Sequence, residues 1–180
     1  MEWKTIDRNW MFLVHPALTV LLTAAYGGQE TITPMAWLMP LSGQPPLVAL
    51  SMKRTRFAYE LLKASGQFAL NLPTIAEAKK VWACGVTSGR TRDKFALTGF
   101  TRLKAERIKA PLIAESAAIL ECRLSDDLSY GDHQLLVGEI LLARVRADLY
   151  DDEWNPSFLA CLHIRKEKFI PPDWSRLTKG

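Results

Sequence analysis

Residues 118–148 read AILECRLSDDLSYGDHQLLVGEILLARVRAD, and their alternation sets the fold class. Ala118, Leu120, Cys122 and Leu124 fall on one face with a period of two, and Glu121, Arg123 and Ser125 fall on the other. That pattern marks a half-exposed antiparallel strand. Residues 126–131 turn the chain, and residues 134–148 form a second long strand that must bend or serve two sheets. No crossover helix separates the two.

The same texture extends toward the N-terminus. Residues 17–26 are apolar with Thr and Val admixed and end at Gly27-Gly28, a buried strand closed by a tight turn. Residues 30–41, with Thr31, Ile32, Thr33, Met35 and Trp37, complete a predicted hairpin. Residues 47–52 form a third apolar strand whose start Pro45 and Pro46 confine to an edge or a loop. Ala58, Leu61, Leu62 and Ser65 then share one helical face, with Thr55 as the expected cap and Gly66 past the end. A short strand at 68–72, a helix at 75–83, a polar loop at 85–99 with a helical turn at 93–97, and a last strand at 158–164 complete the pattern. Strands outnumber helices, so the chain reads as mainly β, an antiparallel barrel or sandwich with inserted helices.

Composition narrows the function classes. The 180 residues form one expected domain, 48% hydrophobic and 23% charged, with a net charge of +4 and mixed rather than massed basic residues. A nucleic-acid or heparin-binding barrel has only the basic pI near 9 and six Trp in its favour. Three cysteines at 84, 122 and 161 make no CxxC pair, which excludes zinc fingers and points to a reducing cytoplasm. His15, His133 and His163 show no metal-ligand spacing, so no metal is expected. Residues 11–26 are interrupted by His15, Pro16, Thr19 and Thr23 and are too short to cross a bilayer, so no membrane association is expected.

Three segments can carry chemistry. Ser51-Met52-Lys53-Arg54-Thr55-Arg56 gathers three cations and two hydroxyls where a strand gives way to a helix, a seat for a phosphate or, equally, a solvated basic turn. CGVTSGRTRDKF, residues 84–95, offers two glycines and several hydroxyls with Arg90, Arg92 and Lys94, a second anion cradle or a solvent loop capped by Asp93. It lacks the P-loop spacing. In Tyr130-Gly131-Asp132-His133 an acid adjoins an imidazole, although neighbours along a strand point to opposite faces and need not pair.

Read together, TITPMAWLMPLSGQPPLVALSMKRTRFAYELLKASGQFALNLP (31–73), CGVTSGRTRDKF (84–95), APLIAESAAILECRL (110–124) and YGDHQLLVGEI (130–140) resemble the flavin reductase-like family of FMN-binding split barrels, its flavoredoxin branch in particular. The resemblance covers about residues 12–165 and leaves 166–180 as a tail. It implies a cytoplasmic homodimer of antiparallel split β-barrels, each subunit holding one FMN rather than FAD. Carried over by position, Thr33, Pro34, Ala36 and Trp37 line the isoalloxazine and ribityl chain. Ser51, Met52, Lys53, Arg54 and Thr55 contact ribityl and phosphate. Cys84, Gly85, Ser88, Gly89, Arg90, Asp93, Lys94 and Phe95 form the second cofactor loop. Asp132 and His133 match a motif linked to the nicotinamide donor, and His163 lies near the flavin. At Thr33 or a neighbour many relatives carry Asn. The implied activity is hydride transfer from NADH or NADPH to bound flavin, with electrons passed to free flavin or another acceptor. The rival implication is an electron carrier that takes electrons from a redox partner protein and uses no nicotinamide.

Overall fold

The computed structural model describes residues 1–176. Residues 177–180, part of the tail, lie outside the described residues. After a short 3-10 helix, Trp10–Val14, the strands follow as β1 Ala17–Leu18, β2 Val20–Tyr26, β3 Gln29–Met35, β4 Leu38–Gly43 and β5 Pro46–Met52. Helix α1 Phe57–Ser65, strand β6 Gln67–Leu72, helix α2 Ala78–Val86 and helix α3 Lys94–Thr98 come next. Then come β7 Arg102–Leu103, β8 Leu112–Ile113, β9 Ala118–Tyr130, β10 His133–Val145, β11 Tyr150–Asp151, β12 Glu153–Trp154, β13 Leu162–Arg165 and β14 Lys168–Ile170.

Seven strands form one antiparallel sheet in the order β3-β2-β6-β9-β10-β5-β4. Its outermost strands, β3 and β4, are consecutive in the chain and joined by Ala36-Trp37, so the sheet curls until its edges meet at that link and stay apart elsewhere. This is a split barrel. The predicted hairpin of residues 17–26 with 30–41 is therefore corrected: β2 pairs with β3 only to Met35, and residues 38–43 pair with β5 instead. The turn between β2 and β3 needs left-handed residues, and Gly27 and Gly28 have φ of 58° and 78°.

The long hairpin shows why its strands are long. The first half of β9 pairs with β6, the first half of β10 pairs with β5, and the two pair with each other throughout. Irregularities at Val137/Gly138 and Ile140/Leu142 bend β10 as it changes neighbours. Residues 126–130, read as turn, are strand, and only Gly131-Asp132 turns. Gly138 is required there, since a Cβ would strike the Phe68 ring of the core.

The core fills both sides of the curled sheet. One cluster packs α1 residues Ala58, Leu61 and Leu62 against Leu22, Phe68 and Leu136. The other places α2 and α3, through Val81, Cys84 and Phe95, over Leu21 and Ile32. Thr55 does not cap α1: Arg56 takes the N-cap position and no side chain caps it, so that of the first three amides only Tyr59 N has a partner, Arg56 O at 3.0 Å, among the described residues. Asp93 does cap α3, accepting from Phe95 N at 2.8 Å and Ala96 N at 3.1 Å. The helix expected at 75–83 starts as a 3-10 turn, Ile75–Glu77, and continues to Val86, while the strand expected at 158–164 is shifted to Leu162–Arg165. Glu121, expected on the exposed face of β9, is fully buried, because residues 104–110 fold over it and its carboxylate accepts from Glu106 N, Arg107 N and Arg144.

Candidate cofactor site

The split between β3 and β4 opens into a chamber of about 890 Å³. Pro34, Ala36 and Trp37 enter it from the β3–β4 link, and Ser51, Met52 and Lys53 from the end of β5. The link is held by a hydrogen bond from Ser51 N to Trp37 O, 2.9 Å. Helix α2 supplies Trp82, Gly85 and Val86, and the N-terminal 3-10 helix and the β13–β14 hairpin supply Trp10, Phe12, His163 and Phe169. A Cβ on Gly85 would stand 3.1 Å from Pro34, so glycine lets α2 lie close against β3.

A smaller recess of about 210 Å³ adjoins the chamber, sharing Arg56, Gly85 and Val86 with it. Its lining changes character: Thr31, Thr33, Thr55, Ser88 and Arg90 make it a hydroxyl-rich, cationic pocket at the uncapped start of α1. Thr31 and Thr33 sit two apart on β3 and so share a face. The Thr31 hydroxyl is buried without a hydrogen-bond partner. A Cβ on Gly89 would collide with that hydroxyl and stand 2.9 Å from Thr31 Cβ.

Most cations around these spaces are already engaged. Lys53 Nζ pairs with Asp132 at 2.9 Å, Arg54 donates to the Ser129 hydroxyl, and Arg90 forks onto Glu60 while lying over the Phe57 ring. Lys94 is buried, donating to the Ile32 and Cys84 carbonyl oxygens at 2.7 and 2.6 Å, and burial pushes its pKa down. No carboxylate pairs with it among the described residues, and its side chain lies under the recess. Arg56 borders both spaces and, among the described residues, its guanidinium makes no ion pair or hydrogen bond.

At the chamber's rim His133 stacks on Trp37, centroids 4.9 Å apart at 29°. Asp132 and His133 do pair, Nδ1 to Oδ1 at 2.7 Å, because Asp132 stands in the turn rather than the strand. Lys53 foremost, and then His133, hold the Asp132 carboxyl down to about 2. The carboxylate thereby holds a ring proton on Nδ1.

A family description, the flavin reductase like domain, matches residues 12–167. The chain belongs to the flavin reductase like family. An uncharacterized protein of Archaeoglobus fulgidus is 34% identical over 133 residues, 74% of this chain and 75% of that protein. The FMN reductase (NADH) RutF of Agrobacterium fabrum is 24% identical over 149 residues, 81% of this chain and 82% of its own length. The flavoredoxin of Desulfovibrio vulgaris (Miyazaki F) superposes with a TM-score of 0.88 at 22% identity, covering 99% of this chain and 97% of that one. At that identity the likeness concerns the fold.

In this flavin reductase-like chain the expected site residues divide. Pro34, Ala36, Trp37, Ser51, Met52, Lys53, Gly85, Asp132, His133 and His163 line the chamber, and Thr33, Thr55, Ser88, Gly89, Arg90 and Lys94 line the recess. Arg54, Cys84, Asp93 and Phe95 line neither. Cys84 and Phe95 are core, burial pushing the Cys84 thiol up to about 11, while Asp93 caps α3 and pairs with Arg102. Arg56, which the basic segment 51–56 offered to a phosphate, lines both spaces, whereas Thr31, Trp82 and the N-terminal wall were not among the expected residues. The period-two pairing of Thr31 with Thr33 was a signal for the first of these. Nothing in the pattern of residues 9–15 announces a wall.

Proposed function

We propose that this chain binds FMN, with the ring system in the aromatic chamber and the phosphate in the recess, and that NADH or NADPH reduces it. The observation that carries this is the change of lining at Arg56, from aromatic rings to hydroxyls and cations, between two adjoining spaces that share Arg56, Gly85 and Val86. The residues present suit the group: the Thr31 hydroxyl buried without a partner, the Phe57 and Ala58 amides at the start of α1, and Arg56, whose guanidinium makes no ion pair among the described residues, offer donors to an anion. A recess of about 210 Å³ favours a terminal phosphate over the adenosine of FAD. Pro34, Ala36, Trp37 and Met52 would hold the ring system and Thr33, Thr55, Ser88 and Arg56 the phosphate, and FMN so held would supply the redox chemistry for a nicotinamide donor.

The protein's part is orientation. Lys53 pins Asp132, Asp132 sets the His133 proton, and His133 braces the face of Trp37, so the rim is fixed before a ligand arrives. Trp10, Phe12 and Trp82 line the opposite side. Edge strand β4 exposes Met39 and Leu41, a surface suited to a second copy in a homodimer. Anaerobic addition of NADH or NADPH to FMN-loaded protein tests the donor. Bleaching of the flavin band supports the reductase. Bleaching only by a redox partner protein makes the chain an electron carrier instead.

A further inference from the structure

One wall of the chamber carries three polar groups to which the flavin reading gives no hydrogen-bonding role. His15 and His163 both line it, ring centroids 5.3 Å apart at 76°. His15 Nδ1 lies 2.9 Å from the His163 carbonyl oxygen, and His163 Nε2 lies 3.0 Å from the Lys166 carbonyl oxygen. A carbonyl oxygen only accepts, so each of these nitrogens carries its ring's proton. In the neutral rings His15 Nε2 and His163 Nδ1 are lone pairs, with no donor to them among the described residues. Burial lowers the His163 pKa, which keeps that ring neutral. Thr19 lines the same space, 2% exposed, its hydroxyl buried without a partner. Phe12 and Phe169 flank the pair, with centroids 5.4 Å from His15 and 5.2 Å from His163.

Two acceptors and one hydroxyl select by count. A carboxylate brings no proton to the two lone pairs, and a phenol or the pyrimidine edge of a flavin brings one. A primary carboxamide brings two N–H donors and a carbonyl oxygen for Thr19, and Phe12 and Phe169 line the same space beside an aromatic ring. We infer that Thr19, His15 and His163 form a subsite for the primary carboxamide of a flat aromatic ligand. The inference rests on the chamber being the flavin site and names what is recognised beside it. The carboxamide can belong to a nicotinamide dinucleotide or to a free aromatic amide.

The test titrates FMN-loaded protein with nicotinamide, benzamide and 3-acetylpyridine, which keeps the carbonyl and replaces the amino group by methyl, reading flavin difference spectra. Nicotinamide should bind about tenfold tighter than 3-acetylpyridine, the worth of a hydrogen bond to an otherwise unsatisfied partner. Thr19→Val should weaken both ligands, and His15→Phe should weaken nicotinamide alone. Equal binding of nicotinamide and 3-acetylpyridine to the parent protein overturns the subsite, even where NADH bleaches the flavin and the reductase reading stands. Amide preference together with bleaching by NADH or NADPH supports it with the nicotinamide as source. Amide preference, shared by benzamide, with no bleaching by either dinucleotide supports it with a free amide as source and removes the reductase reading. The comparison on the parent protein decides even if a variant fails to fold.

Discussion

Replacing Arg56 by alanine should weaken FMN binding about tenfold and leave riboflavin binding unchanged. Arg56 touches both chamber and recess and has no competing carboxylate among the described residues, so its guanidinium is available to a phosphate. A hydrogen bond to a charged group contributes about 1.5–3 kcal/mol. Arg56 is exposed, which places its contribution at the low end, about 1.4 kcal/mol, or a factor of ten in Kd. The assay is fluorescence titration of apoprotein with FMN and with riboflavin, which lacks the phosphate, at low and at high salt. The FMN loss should shrink as salt screens the exposed charge. Arg54→Ala serves as the internal control: Arg54 lines neither space and is engaged by Ser129, so FMN affinity should stay within about twofold. An equal loss of FMN and riboflavin in Arg56→Ala, or a larger loss in Arg54→Ala, would refute the phosphate seat.

Gly89→Ala should both destabilise the protein and block the recess, because its Cβ would meet Thr31 and stand 3.2 Å from the Phe57 ring. A cost of about 1–3 kcal/mol is expected in chemical denaturation, with FMN affinity falling in parallel, and unchanged affinity would contradict the recess. Glu121→Ala should cost on the order of 3 kcal/mol, since it strands the amides of Glu106 and Arg107 and leaves Arg144 only its exposed partner Glu106. A loss below about 1 kcal/mol in urea unfolding would show that residues 104–110 do not depend on it. Asp132, with its carboxyl held at about 2 rather than 3.8, contributes stability that is present above pH 3.8 and lost as pH falls through 2. At 74% side-chain exposure the contribution is screened, so Asp132→Asn should barely move Tm at neutral pH while changing the His133 tautomer seen by nitrogen NMR. His163 has the same sign: its lowered pKa means that the unfolded chain takes up a proton first, so stability should decline below pH 6.5, and His163→Gln should flatten that decline.

The alternation in β9 and β10, the Gly27-Gly28 turn and the apolar face of α1 were legible because each rests on local periodicity or backbone freedom. The break at Ala36-Trp37 was not. Residues 30–41 are uniformly extended, and only pairing with β5 decides that 38–43 leave the hairpin. The burial of Glu121 was hidden for a related reason, since alternation assigns faces and cannot foresee a distant loop covering one. At the site, sequence locates cations and says nothing of their partners. Lys53, Arg54, Arg90 and Lys94 all looked available, yet each head group is engaged within the fold, and Arg56, two positions past Arg54, is the cation left facing the recess. The His15–His163 wall joins residues 148 apart in the chain, which no spacing rule connects.

The most direct test of the central claim is the absorbance spectrum of freshly purified protein, with the mass of whatever is released on denaturation, followed by titration of the stripped protein with FMN. The account predicts flavin bands, release of FMN, and restoration of the bands on titration with tighter binding than riboflavin shows. A colourless protein that takes up no added FMN would contradict it.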